Sequence, residues 1–367
     1  MTETPNGKEE SFLFQQSDFE KITALVTVEF QVEDSLMENG VPTYHLKQPQ
    51  ETKQPFLKLL KSLNSINLIA VLRRIDRRIV LRVIPKPPVK KSNVLINWVL
   101  LFATIATTFI TGYLLSADFL DPLVGGATFT AAIMIVLGAH EMGHKLTANR
   151  NGIEATPPYF IPGPPGIGGV GVGTFGAVIM QKSLPPNRDA LFDVGSSGPI
   201  IGFILATIAT IVGLFFSPIF PIKGGESFLP SPLIFDLLAT YVIRLPANSY
   251  VRLHPVAFAG WVGMIVTMLN LLPAAMLDGG HVSRSLFGER ARTVLTFLSI
   301  VLLVVEDFWP MAIFVLFISM YRHPGPLDDV SALSRRRKLL AIVLVVVFVL
   351  CSYLHYYFLA LLHFLGL

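Results

Sequence analysis

Cys351 is the single cysteine in a chain of 367 residues. It stands inside an apolar run, so a disulfide framework, a thiolate zinc site and a dithiol redox centre are all excluded. Charge is also scarce. Asp, Glu, Lys and Arg together make up 15% of the residues, against about 25% in a soluble globular domain. A chain with so little charge cannot coat a water-soluble fold of this length, so most of it is expected to be solvated by lipid. The first 20 residues, MTETPNGKEESFLFQQSDFE, lack the basic-then-apolar order of a cleavable signal peptide. A net charge of +4 is explained by the basic loops that orient a membrane protein, so no nucleic-acid partner is expected.

Apolar residues are plentiful, at 52%, and come with 28 glycines and 26 prolines. The glycines and prolines cluster between apolar runs, which points to shaped loops at membrane depth. Spans are expected over 94–115, from 125 or 126 to 147, over 190–216 and over 255–272, each suited to a hydrocarbon core of about 30 Å. Residues 293–321 are apolar except for Glu306 and Asp307 at their middle. Two adjacent carboxylates at the bilayer centre would be costly, so a tight helical hairpin is expected there, with one kinked span as the alternative. A last span covers 339–365 and includes His355 and His363, read as interfacial or packing residues. Between the second and third spans lies 155–182, which is neither span nor ordinary loop. The fold class expected is an α-helical polytopic membrane protein with six or seven transmembrane helices and a re-entrant β-like segment.

Residues 1–90 read as a small soluble α+β domain on the cytosolic side. A short helix over 19–24 is expected to pass into strand-like alternation over 23–32, Asn39-Gly40 marks a hairpin, 55–63 is an amphipathic helix, and 68–73 and 79–84 are a second strand pair. No catalytic constellation lies in this domain, so a regulatory or docking role is its default. Residues 91–367 are the membrane domain, with a motif-bearing core over about 94–320. Arg73, Arg74, Arg77, Arg78, Lys86, Lys90 and Lys91 precede the first span; Lys145, Arg150, Lys182 and Arg188 lie between the second and third. Arg284, Arg290 and Arg292 follow the fourth, and Arg335, Arg336, Arg337 and Lys338 precede the last. All fall on one side if spans alternate, which makes that side cytoplasmic and the localisation a multi-pass cell-membrane protein.

The second span contains His140-Glu141-Met142-Gly143-His144. Positions i and i+4 share one helix face, so both histidines can point at one metal ion. Glu141 sits about 100° further round, placed to reach a water on that ion without being a ligand. Ionisable groups in the apolar middle of a span are functional by default. Catalytic zinc takes three protein ligands and leaves a fourth position open. Asn270 to His281, at the end of the fourth span, supplies the third: Asp278 is the best carboxylate ligand, freed by Pro273 and Gly279-Gly280, with His281 as an alternative ligand or supporting partner. Asp278 also reads as a helix cap before Val282-Ser283-Arg284.

These two segments carry a resemblance to the site-2 protease family of intramembrane zinc metalloproteases. His140-Glu141-x-x-His144 is similar to that family's first signature and Asn270-x-x-Pro273-x-x-x-Leu277-Asp278-Gly279 to its second. Gly173-Thr174-Phe175-Gly176-Ala177 and Ser197-Gly198-Pro199 resemble further family segments. The likeness to archaeal and chloroplast-type members is looser over the amino-terminal domain, and the PDZ-like insertion of many bacterial members is missing. The resemblance implies one zinc per chain held by His140, His144 and Asp278, with Glu141 as base and Asn270 beside the site. It implies hydrolysis within or near a transmembrane segment of a protein substrate in the bilayer. The edge of Gly171 to Met180 is read as a strand that pairs with an unwound substrate backbone. Gly171-x-Gly173-x-x-Gly176 has neither the preceding strand nor the following helix of a dinucleotide fingerprint. A zinc transporter using the same ligands is the alternative, but it gains nothing from Glu141 and would show repeated halves.

Overall fold

A computed structural model describes residues 14–88, 92–166, 171–222, 230–321 and 323–353. The chain divides into two compact units.

The first unit begins with α1 (Gln16–Glu29). The expected strand over 23–32 is instead the second half of this helix. Ile22 and Val26 fall at i and i+4 and are buried, whereas Val28 is left 79% exposed; a strand would have put Val26 and Val28 on the same face. The Thr23 and Thr27 hydroxyls donate back to the Phe19 and Thr23 carbonyls, which settles these β-branched residues inside a helix. Strand β1 (Val32–Glu38) and β2 (Val41–Leu46) follow. They are joined by Asn39-Gly40 with φ of 51° and 76°, the paired left-handed residues of a tight hairpin. Then come α2 (Lys53–Asn64), β3 (Leu68–Ile75) and β4 (Arg78–Pro85). The sheet order is β1-β2-β4-β3, with every neighbour antiparallel. Its core face packs Tyr44, Leu46, Leu72, Leu81 and Val83 with Ile22, Val26, Phe56, Leu59 and Leu63 of the two helices.

The expected boundary at residue 90 is incomplete, because 184–188 and 325–332 belong to the same unit. Leu72 donates its amide to the Leu327 carbonyl (2.9 Å), and the Asp329 amide returns to the Leu72 carbonyl (3.2 Å), so this segment runs parallel to β3 and covers its outer edge. Leu327 enters the core. Asp328 is fully buried, and its carboxylate accepts the amides of Val330 and Ser331 and the Ser331 hydroxyl. Arg188 pairs with Asp329 at 3.0 Å.

The second unit is mostly helical: α3 (Val94–Ser116), α4 (Pro122–Arg150), α5 (Arg188–Phe215), α6 (Leu233–Tyr241), α7 (Pro255–Leu271), α8 (Asp278–Phe287), α9 (Glu289–Val305), α10 (Trp309–Ser319) and α11 (Arg335–Cys351). Strands β5 (Tyr159–Pro162) and β6 (Thr174–Val178) pair with each other, as do β7 (Ile219–Pro221) and β8 (Ser249–Val251). Among the described residues α3, α4 and α5 are long and apolar enough to cross a membrane; α7, at 17 residues, and α10 are shorter. The apolar run 293–321 breaks at Glu306 to Phe308, where Asp307 has φ of 58°, and α10 packs against α9. The proposed last span lies outside the described residues from 354 onward, His355 and His363 included.

Two contacts fix the ends of the helices. Asn97, in the first turn of α3, donates to the Pro157 and Pro158 carbonyls, on the chain that follows α4. At the other end Arg252 pairs with Asp118 (2.8 Å) and stacks over Phe119, bringing the entry to α7 beside the exit of α3.

Candidate metal centre

The centre is assembled from α4, α5, α7 and α8. On α4 the i, i+4 spacing turns both histidines the same way, with Nε2 atoms 3.1 Å apart. His144 donates from Nδ1 to the Val194 carbonyl of α5 at 2.7 Å, which leaves Nε2 as its free lone pair. Helix α5 reaches this close because it turns Gly195, Gly198 and Gly202 toward the site. A Cβ on Gly198 would lie 2.1 Å from His144 Nε2, and one on Gly202 would lie 2.8 Å from His140 Nδ1. Helix α7 brings Asn270, whose Nδ2 stands 3.4 Å from His140 Nε2. Pro273 ends that helix and a short turn leads to Asp278, the first residue of α8.

Asp278 Oδ2 lies 3.2 Å from His140 Nε2 and Oδ1 lies 3.2 Å from His144 Nε2. The three residues offer ligand atoms all within 4.8 Å of one another. A tetrahedral ion at about 2.0–2.1 Å from its donors separates them by roughly 3.3–3.4 Å, close to the spacing seen. Two imidazoles and one carboxylate are a donor set that zinc accepts, so the residues fit that ion. Glu141 is buried beside the cluster, with Oε1 4.0 Å from His140 Nε2. The backbone of Ile179, just beyond β6, lies beside its carboxylate.

His281 lies elsewhere. Its Nδ1 meets Nε2 of the buried His323 at 2.7 Å, and it is not among the three residues that converge. His323, the Val194 carbonyl and the residues that brace the turn before Asp278 escaped the sequence reading. The glycine stripe on α5 was legible as a close helix approach, but what it approaches was not.

Apolar helices of membrane-crossing length beside two histidines, an aspartate and a neighbouring glutamate define a multi-helix membrane protein with an internal group that could hold a metal ion. Residues 128–305 match the model of peptidase family M50, and the matched stretch contains both signature segments. The relatives agree. "Probable zinc metalloprotease EGY2, chloroplastic" of Arabidopsis thaliana is 32% identical over 227 residues, 59% of this chain and 39% of that protein. "Probable zinc metalloprotease EGY1, chloroplastic" of the same plant is 30% identical over 245 residues, 62% of this chain and 44% of that protein. The rice protein "Probable zinc metalloprotease EGY3, chloroplastic" (Oryza sativa subsp. indica) is 32% identical over 223 residues, 53% of this chain. The chain spans less than half the length of these relatives. No solved structure matches it significantly.

Proposed function

We propose that this chain is an intramembrane zinc metalloprotease that hydrolyses peptide bonds in or near transmembrane segments of membrane proteins, as in regulated intramembrane proteolysis. The observation that carries this reading is the convergence of His140, His144 and Asp278 on one point, with Glu141 buried beside them. His140 and His144 through Nε2 and Asp278 through its carboxylate would hold one zinc ion per chain. A zinc ion bound there supplies a Lewis acid and a water whose pKa falls to about 7. Glu141 is the proton carrier: it accepts a proton from the attacking water and returns it to the departing amine. Asn270 directs its amide into the same space and donates to the oxygen on which charge develops, or to substrate backbone.

The substrate's peptide group must leave its own helix to be cut. The position of β6 supports a strand-addition role, because the Ile179 backbone just beyond it lies beside Glu141. The same reading treats 155–182 as a re-entrant segment and counts six or seven spans, with α9 and α10 as the two arms of a hairpin and α11 as the start of the last span. The loop charges support an amino-terminal domain and site opening on the basic, cytoplasmic face of a cell membrane; the relatives are named for chloroplasts, where the same bias would choose the face. The domain of 1–90 is assigned a regulatory or docking role. A zinc transporter built on the same ligands finds no supporting observation, since Glu141 would have no task in it.

The test compares wild type with Glu141→Gln. Cleavage of a membrane-protein substrate should fall by about 10²–10⁴-fold, the usual worth of a positioned general base, while zinc content measured by atomic absorption stays at one per chain. Undiminished cleavage by the variant would sink the reading.

A further inference from the structure

The turn between α7 and α8 is six residues, Leu272 to Leu277, and it joins the helix that carries Asn270 to Asp278. Whatever fixes this turn fixes the aspartate. Ala275, at its centre, has φ of 46°, a conformation that a residue with a Cβ holds only when its surroundings impose it. The turn is buried, Ala274 and Ala275 completely. Its own bonds, Ala274 N–H to the Leu272 carbonyl and Leu277 N–H to the Ala274 carbonyl, leave both backbone groups of Ala275 unused.

Both are taken by α9. The Ala275 amide donates to Thr296 Oγ1 at 2.9 Å, and Arg292 Nη1 donates to the Ala275 carbonyl at 3.0 Å. The Thr296 hydroxyl donates onward to the Arg292 carbonyl (2.8 Å), which aims its lone pair at the turn. Arg292 is locked in turn by a two-pronged pair with Glu289, Nε at 3.0 Å and Nη2 at 2.6 Å. Glu289 also reaches Arg284 of α8 at 3.0 Å. Arg284 and Arg292 are both buried. An ionic group of two buried arginines and the partly exposed Glu289 therefore ties α8 and α9 together and grips the one residue of the turn that would otherwise relax.

We infer that Arg292 and Thr296 are positioning residues for the metal centre: through Ala275 they hold the turn that sets the Asp278 carboxylate opposite His140 and His144. This rests on the reading of those three residues as zinc ligands. Supporting groups outside the ligands typically contribute 10- to 100-fold to metal affinity.

The test uses the purified full chain stripped of metal, with zinc affinity read by competition against a chromogenic chelator and cobalt loading read by its visible absorption bands. Thr296→Val, which keeps the shape and loses the acceptor, and Arg292→Lys, which keeps the charge and loses the fork, should each bind zinc 10- to 100-fold more weakly and shift the cobalt bands. Thr296→Ser should restore wild-type affinity and spectrum. Ser299→Ala, a buried change one helical turn beyond Thr296, controls for general loosening and should leave both readouts unchanged. Wild-type affinity and spectrum in folded Thr296→Val and Arg292→Lys would overturn the inference, as would an equal effect of Ser299→Ala. If one variant fails to fold, the other reads the second anchor by itself. Asp278→Ala separates the two levels: zinc bound as tightly as by wild type would refute the ligand reading itself.

Discussion

Gly198 matters for the atom it lacks. The His144 ring occupies the space where its Cβ would stand, 2.1 Å from Nε2 and 2.6 Å from Cδ2. The ring has little freedom to retreat, since its Nδ1 is held by the Val194 carbonyl. Gly198→Ala should therefore displace a ligand rather than merely loosen a helix, with zinc affinity falling at least about tenfold, as when a ligand's supporting contact is lost. Gly138→Ala on α4 is the matched control: its new methyl would meet only Phe160 Cζ at 3.5 Å, an ordinary contact. A chelator competition on both proteins checks this, and equal affinities would mean that the ring can move aside. The sequence supplies only part of this arrangement. His140, His144 and Asp278 declare themselves because polar residues in apolar runs need a reason. His323 sits outside any apolar run, and its partnership with His281 depends on a tertiary approach across 42 positions that no local pattern encodes.

Among the described residues β5 and β6 form a two-stranded sheet, and the chain just beyond β6 passes Glu141. Proline tests a strand edge cleanly because it removes one N–H. Ala177 pairs with Phe160 and Val178 with Tyr159, and Ala177→Pro removes one N–H of β6 without touching His140, His144 or Asp278. Cleavage should fall roughly 3- to 10-fold, the equivalent of one backbone hydrogen bond of about 0.5–1.5 kcal/mol, with zinc content unchanged. Full cleavage by Ala177→Pro would remove strand addition from the mechanism. Most of the elements were legible. Runs of apolar residues gave the long helices, and Asn39-Gly40 gave its hairpin because both residues tolerate a left-handed backbone. Helix α1 was misread because Ala24 to Val32 satisfies both periods, and the deciding fact, that Val26 is buried and Val28 is not, is tertiary. The cover on the β3 edge was illegible for a different reason. Its residues, Leu327 to Asp329, stand 255 and more positions from Leu72, and nothing in a short polar loop announces which edge it will complete.

At the scale of the whole chain, charge and geometry bear on one question, the order in which the helices cross. Asn97 against Pro157 and Pro158 puts the start of α3 beside the segment after α4, and Arg252 with Asp118 puts the end of α3 beside the entry to α7. The basic residues that follow α4 and α8 belong with the first end, and the Asp118 and Arg252 pair belongs with the second. Alternating crossings predict this, with the basic end retained on the synthetic side of the bilayer. The scarcity of cysteine makes the prediction direct. With Cys351→Ala as background, single cysteines at Ser62, Asn149 and Arg290 report the basic end, and those at Ala117 and Ala247 report the other; all five positions are exposed. In intact bacterial cells expressing the chain, a membrane-impermeant maleimide should label the Ala117 and Ala247 positions and reach the other three only after lysis. Labelling of Ala247 together with Asn149 would break the alternation between α4 and α7 and, with it, the argument that Asp278 arrives from the same face as the histidines. Labelling of both Ser62 and Ala117 from outside would instead mean that α3 does not cross, so the two failures are distinguishable in one experiment.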